Sequence, residues 1–297
     1  MEAAPLRSAR RVALLTNPTA GKGRGRRAGD VALRRLRDAG FVVSDLRGSD
    51  AAHGLQLARK AVADGAWALV VVGGDGMVHL GAQAVAETGV HLGVVPAGTG
   101  NDVARYLDLP RRDPAAATDR VIASTPRRID VARCGATYFV TVLAAGFDAV
   151  VNERANAMTW PRGQMRYTLA TLAELRTFEP IGYTLELDGR SHRLDAMLVA
   201  VGNGPSFGGG LRITEGAELD DGLIDVVVIR PMSKPGLVRA YPKLFRGTHV
   251  TLPQYEHHRV REVTVAAPGI VAYADGERVG PLPLTVSCVP GGLSVLA

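Results

Sequence analysis

The apolar run Ala68-Leu69-Val70-Val71-Val72 ends abruptly in Gly73-Gly74-Asp75-Gly76. Such a run, bounded by turn residues, reads as a buried parallel strand. Glycines at its carboxyl end let the backbone turn sharply and approach a ligand. In open α/β sheets, ligands bind at that end of the strands. Gly73 to Gly76 is therefore a place for phosphate, and Asp75 can reach a metal or a hydroxyl. Taken alone, the loop reads equally as a tight strand–helix turn.

The chain around it repeats one pattern. Strands are expected at Arg11–Thr16, Phe41–Leu46, Trp67–Val72 and His91–Val95. Helices are expected at Arg26–Ala39, Ala51–Ala63 and Met77–Glu87, with a short one ending at Tyr106. Four alternations in about 100 residues define a doubly wound α/β domain with a parallel sheet. Near Arg127 the pattern changes. Ile129–Cys134, Thr137–Ala145, Ile181–Leu187, His192–Val201, Gly222–Ile229, Arg261–Ala266, Ile270–Ala274 and Leu284–Val289 read as strands, with a helical stretch over Gln164–Phe178. Turn pairs such as Asp188-Gly189 and Asp275-Gly276 separate them. The second half is a β-rich domain, a sandwich.

The length of 297 residues allows one large or two ordinary domains. No apolar run reaches the length of a spanning helix, and the N-terminus lacks the apolar core of a signal peptide. A cytoplasmic protein, or one peripheral on the inner membrane face, is expected. Cys134 and Cys288 match no metal spacing and read as buried reduced thiols. The net charge of +6 is uneven: Arg7 to Arg37 holds ten basic residues against Asp30 alone, and Arg230 to Tyr255 holds five and no acid. Basic surfaces favour anionic partners. No aromatic residue interleaves with the N-terminal basic run, which argues against a nucleic-acid platform.

Three polar loops follow strands of one sheet: Asn17–Gly23, Gly73–Gly76 and Pro96–Asp102. Backbone N–H groups of such loops, and the helix starts after them, bind anionic oxygens. None is a Walker A sequence, and Gly21 to Gly25 does not fit the dinucleotide spacing. Three loops at one edge, carrying Asp75, Thr99, Asn101 and Asp102, make a nucleotide site the leading reading. Downstream, Asp275 and Glu277 alternate on what reads as an extended segment, so their side chains would share a face; a plain β-turn is the other reading. Lys22 would meet phosphate or lipid headgroup, or be solvated.

In order, Asn17-Pro18-Thr19-Ala20-Gly21-Lys22, Gly73-Gly74-Asp75-Gly76, Pro96-Ala97-Gly98-Thr99-Gly100-Asn101-Asp102, Leu219-Asp220-Asp221-Gly222 and Asp275-Gly276-Glu277 resemble the diacylglycerol kinase catalytic-domain family, and within it the soluble bacterial lipid kinases. The resemblance covers nearly the whole chain. It implies an α/β ATP-binding domain over residues 1–129, to which a last strand, 290–297, returns, and a β-sandwich lipid-substrate domain over 130–289. It implies that Asn17 to Gly21 and Thr99 contact nucleotide and that Gly73 to Gly76 form the phosphate loop. Asp75 would sit near an active-site Mg2+, with Asp130 in the same metal network. Glu218, Asp221 and Leu223 would form a second, structural magnesium site, Glu218 and Leu223 through backbone carbonyls. Glu277 matches the general base. The implied activity is transfer of the γ-phosphoryl group of ATP to a lipid hydroxyl, with diacylglycerol giving phosphatidic acid. Magnesium held by one or two carboxylates suits substrate phosphates, and a lipid alcohol needs a carboxylate to accept its proton.

The chain departs from the family where the loop usually continues Gly-Gly-Asp-Gly-Thr-x-Asn-Glu. Here it reads Gly76-Met77-Val78-His79-Leu80. Backbone phosphate contacts survive this, but side-chain contacts do not carry over. His79 either donates to a phosphate oxygen or caps and packs. Two rivals follow: a small-molecule kinase of the NAD kinase or phosphofructokinase type, and a catalytically silent lipid- or nucleotide-binding regulator. A lipid kinase also implies a lipid substrate at a membrane surface. Gln164–Phe178 and Leu237–Phe245 each combine apolar stripes with basic residues, and each reads as core packing or as bilayer contact. Pro242 interrupts any long helix in the latter. His257-His258 reads as a surface loop. No nucleic-acid partner is expected, and a homodimer is left open.

Overall fold

The computed structural model describes residues 10–146, 154, 158, 160 and 179–297. They form two compact units, Met1–Ile129 with Gly291–Ala297, and Asp130–Pro290.

The first unit alternates strand and helix. Strand β1 (Arg11–Thr16) leads to helix α1 (Ala20–Asp38), β2 (Val42–Leu46), α2 (Ala51–Ala63) and β3 (Ala68–Gly73). Then come α3 (Asp75–Val85), β4 (His91–Pro96), α4 (Asp102–Tyr106) and α5 (Pro114–Ala123). The four strands are parallel in the order β2-β1-β3-β4. All six residues of β3 are buried, which is why it reads as an unbroken apolar run. Alternate side chains serve opposite faces. Val12, Leu14, Val70 and Val72 pack with Ala28, Ala32 and Leu36 of α1 and Ala117 and Val121 of α5. On the other face, Gly54 of α2 lies against Leu15, and Gly81 of α3 against Val71 and Leu92. Fully burying a Val or Leu side chain contributes about 1.5–3 kcal/mol. Helix α5, with Asp113 accepting from the N–H groups of Ala115 and Ala116, was not foreseen.

The second unit is a β-sandwich. Strand β5 (Arg127–Cys134) leads into β6 (Thr137–Phe139), β7 (Val142–Gly146), β8 (Ile181–Leu187), β9 (Arg190–Ala196) and β10 (Leu198–Gly202). There follow β11 (Ile224–Ile229), helix α6 (Lys234–Arg246), β12 (Tyr255–Val260), β13 (Glu262–Ala266), β14 (Val271–Ala274), β15 (Glu277–Pro281) and β16 (Leu284–Leu296). One sheet runs β12-β11-β10-β7-β14-β15; β16, β13, β8 and β9 are consecutive in the other. Strand β16 contributes twice. Leu284 to Ser287 pair antiparallel with β13, and Ser294 to Leu296 pair parallel with β4. Val199, Val201, Val226 and Val228 face Tyr183, Leu185, Val263 and Val286 inside the sandwich. Leu198, Ala200, Val227 and Ile229 face the other way, onto Leu237 of α6. The sheet is thus covered on both faces.

Several expectations need correction. The single strand expected over His192–Val201 is two strands in different sheets. Thr137–Ala145 is broken by Val140 and Thr141. His257 and His258 lie on strand β12, not in a loop. Helix α6 runs through Pro242; the ring removes one N–H donor, and an exposed helix face leaves the freed carbonyl to water. The helix expected over 164–178 lies outside the described residues. Cys134 is buried, Cys288 half-buried, and both are reduced.

Three histidines tie this packing to pH. His91 lies edge-on to Trp67, His249 is wholly buried with Nε2 3.0 Å from the Ile213 carbonyl, and His258 lies on β12. Burial is the main cause lowering the pKa of each from the ordinary 6.5. The unfolded chain therefore takes up protons below that pH which the folded chain refuses, so stability rises with pH through the window. Urea midpoints are expected to be lower at about pH 5.5 than at about pH 7.5; equal midpoints would contradict this.

Candidate active site

In the strand order β2-β1-β3-β4, the chain leaves β1 in one direction and returns on its other side. The switch point lies between β1 and β3, where open sheets bind ligands. The loops after β1, β3 and β4 meet there, and the reason is backbone geometry. Gly73 accepts N–H bonds from Ala97 (2.7 Å) and Gly98 (3.2 Å). A Cβ on Gly98 would lie 2.4 Å from Gly74 Cα, and one on Gly74 would lie 3.1 Å from Gly98 Cα. Only glycine permits that approach at Gly98. Asn101 closes the third loop onto itself: its Oδ1 accepts from Gly98 N–H (3.0 Å) and its Nδ2 donates to Gly98 O (3.1 Å). It does so from a left-handed backbone conformation, φ 54°, which Asn tolerates better than most residues.

The first loop is held to both others. Asn17 donates its backbone N–H to Val72 O at 3.0 Å. Asn17 Oδ1 accepts from the N–H and hydroxyl of Thr19. Gly21, Lys22 and Gly23 all have positive φ (57°, 62° and 92°), so the regular helix of α1 begins after them. A Cβ on Gly21 would fall 2.1 Å from Ala97 O, and one on Gly25 would fall 2.0 Å from Asn17 O. Arg24 donates to Gly21 O (3.0 Å) and Gly98 O (3.1 Å), bridging the first and third loops. Nothing in the sequence distinguishes Arg24 from its nine basic neighbours. Lys22 and Thr99 are exposed; Pro18 and Thr19 are too, and Ala20 is half-buried.

Asp75 opens helix α3, and its Oδ1 accepts from Val103 N–H at 3.3 Å, tying the start of α3 to that of α4. One carboxylate with substrate phosphate oxygens suffices for magnesium, so Asp75 fits that role. Asp102 is buried beside Arg105, 3.6 Å away. Met77 packs on Gly73, where a Cβ would meet its Cγ at 2.4 Å. His79 is half-buried, and Leu80 is buried towards α2, 3.6 Å from a Cβ built on Gly54.

In the second unit, three expected site carboxylates hold backbone. Asp275 and Gly276 both have positive φ (52° and 85°) and form the two-residue turn between β14 and β15, the mirror-image turn that Asp-Gly favours. The extended segment expected there is absent. Asp275 is half-buried and accepts from Val140 N–H, Thr141 N–H (2.8 Å) and Thr141 hydroxyl (2.6 Å). Glu277, across the turn, is exposed. Asp130, 3% exposed, accepts from Gly222 N–H at 2.7 Å and donates its own N–H to Leu219 O. Asn203, which the sequence reading missed, donates to Asp130 O (3.1 Å) and Val140 O (3.3 Å). Its signal was available: an apolar run ending in Asn-Gly.

The expected second magnesium site rests on the Asp221 carboxylate with the backbone carbonyls of Glu218 and Leu223; the Glu218 side chain is exposed. Asp221 accepts from Leu223 N–H at 2.9 Å through Oδ1, while the Arg259 guanidinium contacts its Oδ2. Arg259 Nε also lies 3.9 Å from Asp225, which holds His257 Nε2 at 2.6 Å. Among the described residues no cluster of three or more His, Cys, Asp or Glu side chains forms a metal cage.

One unit is an α/β nucleotide-kinase-like domain with glycine loops at the switch point of its parallel sheet, and the other is a β-sandwich. The diacylglycerol kinase catalytic domain matches residues 11–134, and the YegS C-terminal NAD kinase beta sandwich-like domain matches residues 141–297. The chain belongs to the diacylglycerol kinase family of lipid kinases. It is 42% identical over 292 residues to a diacylglycerol kinase of Mycobacterium tuberculosis, covering 96% of this chain and 94% of that one. It is 26% identical over 278 residues to the diacylglycerol kinase of Bacillus subtilis, covering 92% of each. A solved diacylglycerol kinase of Bacillus anthracis shares the fold, with TM-score 0.73 at 19% identity over 97% of both chains. An NAD kinase of Archaeoglobus fulgidus, solved with ATP, shares it more loosely, at 0.54 and 14% identity over 97% of this chain and 93% of that one.

Two outcomes are expected. Gly98→Ala, which forces the second and third loops apart, should weaken nucleotide binding about tenfold or more while far-ultraviolet circular dichroism stays unchanged; calorimetric titration with Mg-ATP measures it. Arg259→Ala should lower stability by roughly 1–3 kcal/mol in urea denaturation, because Asp221 and Asp225 lose their guanidinium; an unchanged midpoint would contradict this.

Proposed function

We propose that the chain is an ATP-dependent lipid kinase that converts diacylglycerol to phosphatidic acid at the inner face of the membrane. The carrying observation is the contact of Gly74 with Gly98 at the switch point, which draws the loops after β3 and β4 together. Backbone N–H groups at such loops, with the start of α3, suit the oxygens of a nucleotide polyphosphate. The family, and the phosphate-type loops it shares, support ATP as donor.

In this reading Asn17 to Lys22, Gly73 to Met77, His79 and Gly98 to Asp102 bind nucleotide. Asp75 would hold a magnesium ion, which would neutralise charge on the transferring phosphoryl group. Glu277, the exposed carboxylate of the Asp-Gly turn, takes the proton of the lipid hydroxyl. The hydroxyl oxygen then bonds to the γ-phosphorus as the bond to the β–γ bridging oxygen breaks, releasing ADP. Asp275 is a positioning residue: its bonds to Val140 and Thr141 fix the turn from which Glu277 projects.

Purified protein given Mg-ATP and diacylglycerol should form phosphatidic acid. Glu277→Gln should lower kcat by about 10²–10⁴-fold, the range for loss of a general base, with nucleotide affinity retained. Phosphorylation of NAD instead of lipid would support the small-molecule kinase. Nucleotide binding with no product from any lipid would support the silent regulator that Met77 and His79 suggest.

A further inference from the structure

Helix α6 has two apolar faces. Leu237 and Ala240 are buried, and Leu237 and Leu244 join the cluster on the outer face of β10 and β11. That accounts for the inward face. The outward face carries Val238 (53% exposed), Tyr241 (38%) and Phe245 (42%). Val250, in the turn that follows, is 39% exposed. Four of the six strongly exposed large apolar side chains among the described residues thus lie between positions 238 and 250. Tyr241 and Phe245 stack edge-to-face with ring centres 5.6 Å apart, so the stripe is continuous.

Charge says what such a stripe meets. Helix α6 carries Lys234, Arg239, Lys243 and Arg246 and no carboxylate. At 100° per residue, Arg246, Arg239 and Lys243 lie about 80°, 100° and 140° round the helix from Val238, on the far side of the exposed face from Tyr241 and Phe245, and Lys234 falls within the stripe. Lys234 lies 3.9 Å from the exposed acid Glu179. An apolar stripe with basic residues along its flank, on a helix lying flat on a domain, suits the interface of an anionic bilayer. A second copy of the chain would bring four cations against four, which disfavours self-association through this face.

We propose that α6 docks the protein on anionic lipid, with Val238, Tyr241 and Phe245 entering the headgroup boundary and Arg239, Lys243 and Arg246 pairing with phosphate. Its purpose rests on the lipid-kinase reading; its test does not. The full chain should co-sediment with vesicles of phosphatidylcholine plus phosphatidylglycerol, weakly with phosphatidylcholine alone, and less as salt is raised. Val238→Ser with Phe245→Ser, and separately Lys243→Glu with Arg246→Glu, should each weaken binding about tenfold or more. Val238, Phe245 and Arg246 are exposed and Lys243 is half-buried, and circular dichroism checks the fold. Activity on short-chain diacylglycerol in detergent micelles should be kept by both. Equal binding to neutral vesicles, or binding untouched by either pair, overturns the proposal. So does a dimer, seen by sedimentation velocity, that the Val238 and Phe245 changes abolish. Vesicle binding without kinase activity would sink the function and leave the docking; micellar activity without vesicle binding would do the reverse.

Discussion

The contact between Gly74 and Gly98 governs the first unit. Two backbone segments, each following a strand, approach until a single added carbon at Gly98 would lie 2.4 Å from the neighbouring Cα. At that separation no L side chain fits without displacing a strand end. The hydrogen bonds around it depend on the approach: Ala97 and Gly98 donate to Gly73, Asn101 folds back on Gly98, and Asp75 caps Val103. Arg24 then fastens the first loop to this pair through Gly98 O. Phosphate recognition by backbone groups needs donors held still before the ligand arrives, and close-packed glycines between rigid strands provide that.

The second unit uses its acids differently. Asp130, Asn203, Thr141 and Asp275 form one chain of hydrogen bonds, from the Gly222 turn through Val140 to the Asp275-Gly276 turn. These buried groups cost desolvation unless paired, and pairing fixes two turns that sequence alone leaves independent. The result separates Asp275 from Glu277 in role. One carboxylate is spent on backbone, and the other projects into solvent from a turn that the first has fixed.

Much of the fold was legible because burial is patterned. Six consecutive buried residues in β3 reflect a sheet covered on both faces. The same physics misled at His192–Val201. An alternating strand and a fully buried one adjoin there, and only Asp195 to Met197, where the chain changes sheets, marks the break. Glycine, Asn and Asp named the loops because those residues do backbone work. Arg24 and Arg259 were not legible, since a basic residue that binds a distant carbonyl or carboxylate looks in sequence like any solvated one. The Arg259 guanidinium reaches Asp221 from 38 positions along the chain, a distance no local pattern spans.

The departures at Met77, His79 and Leu80 follow from where α3 sits. Leu80 faces α2 and is 8% exposed, so an apolar residue there strengthens helix–helix packing where a carboxylate would need a partner. Met77 lies over Gly73, and a flexible thioether fills that irregular space better than a branched hydroxyl. Neither change touches the Gly73 to Gly98 hydrogen bond or the Gly74 approach, which belong to the backbone. Side chains after the loop can therefore drift toward packing while the glycines cannot. The glycines mark what the close approach of the two loops requires, and the side chains after them mark how this chain seats the helix that starts there.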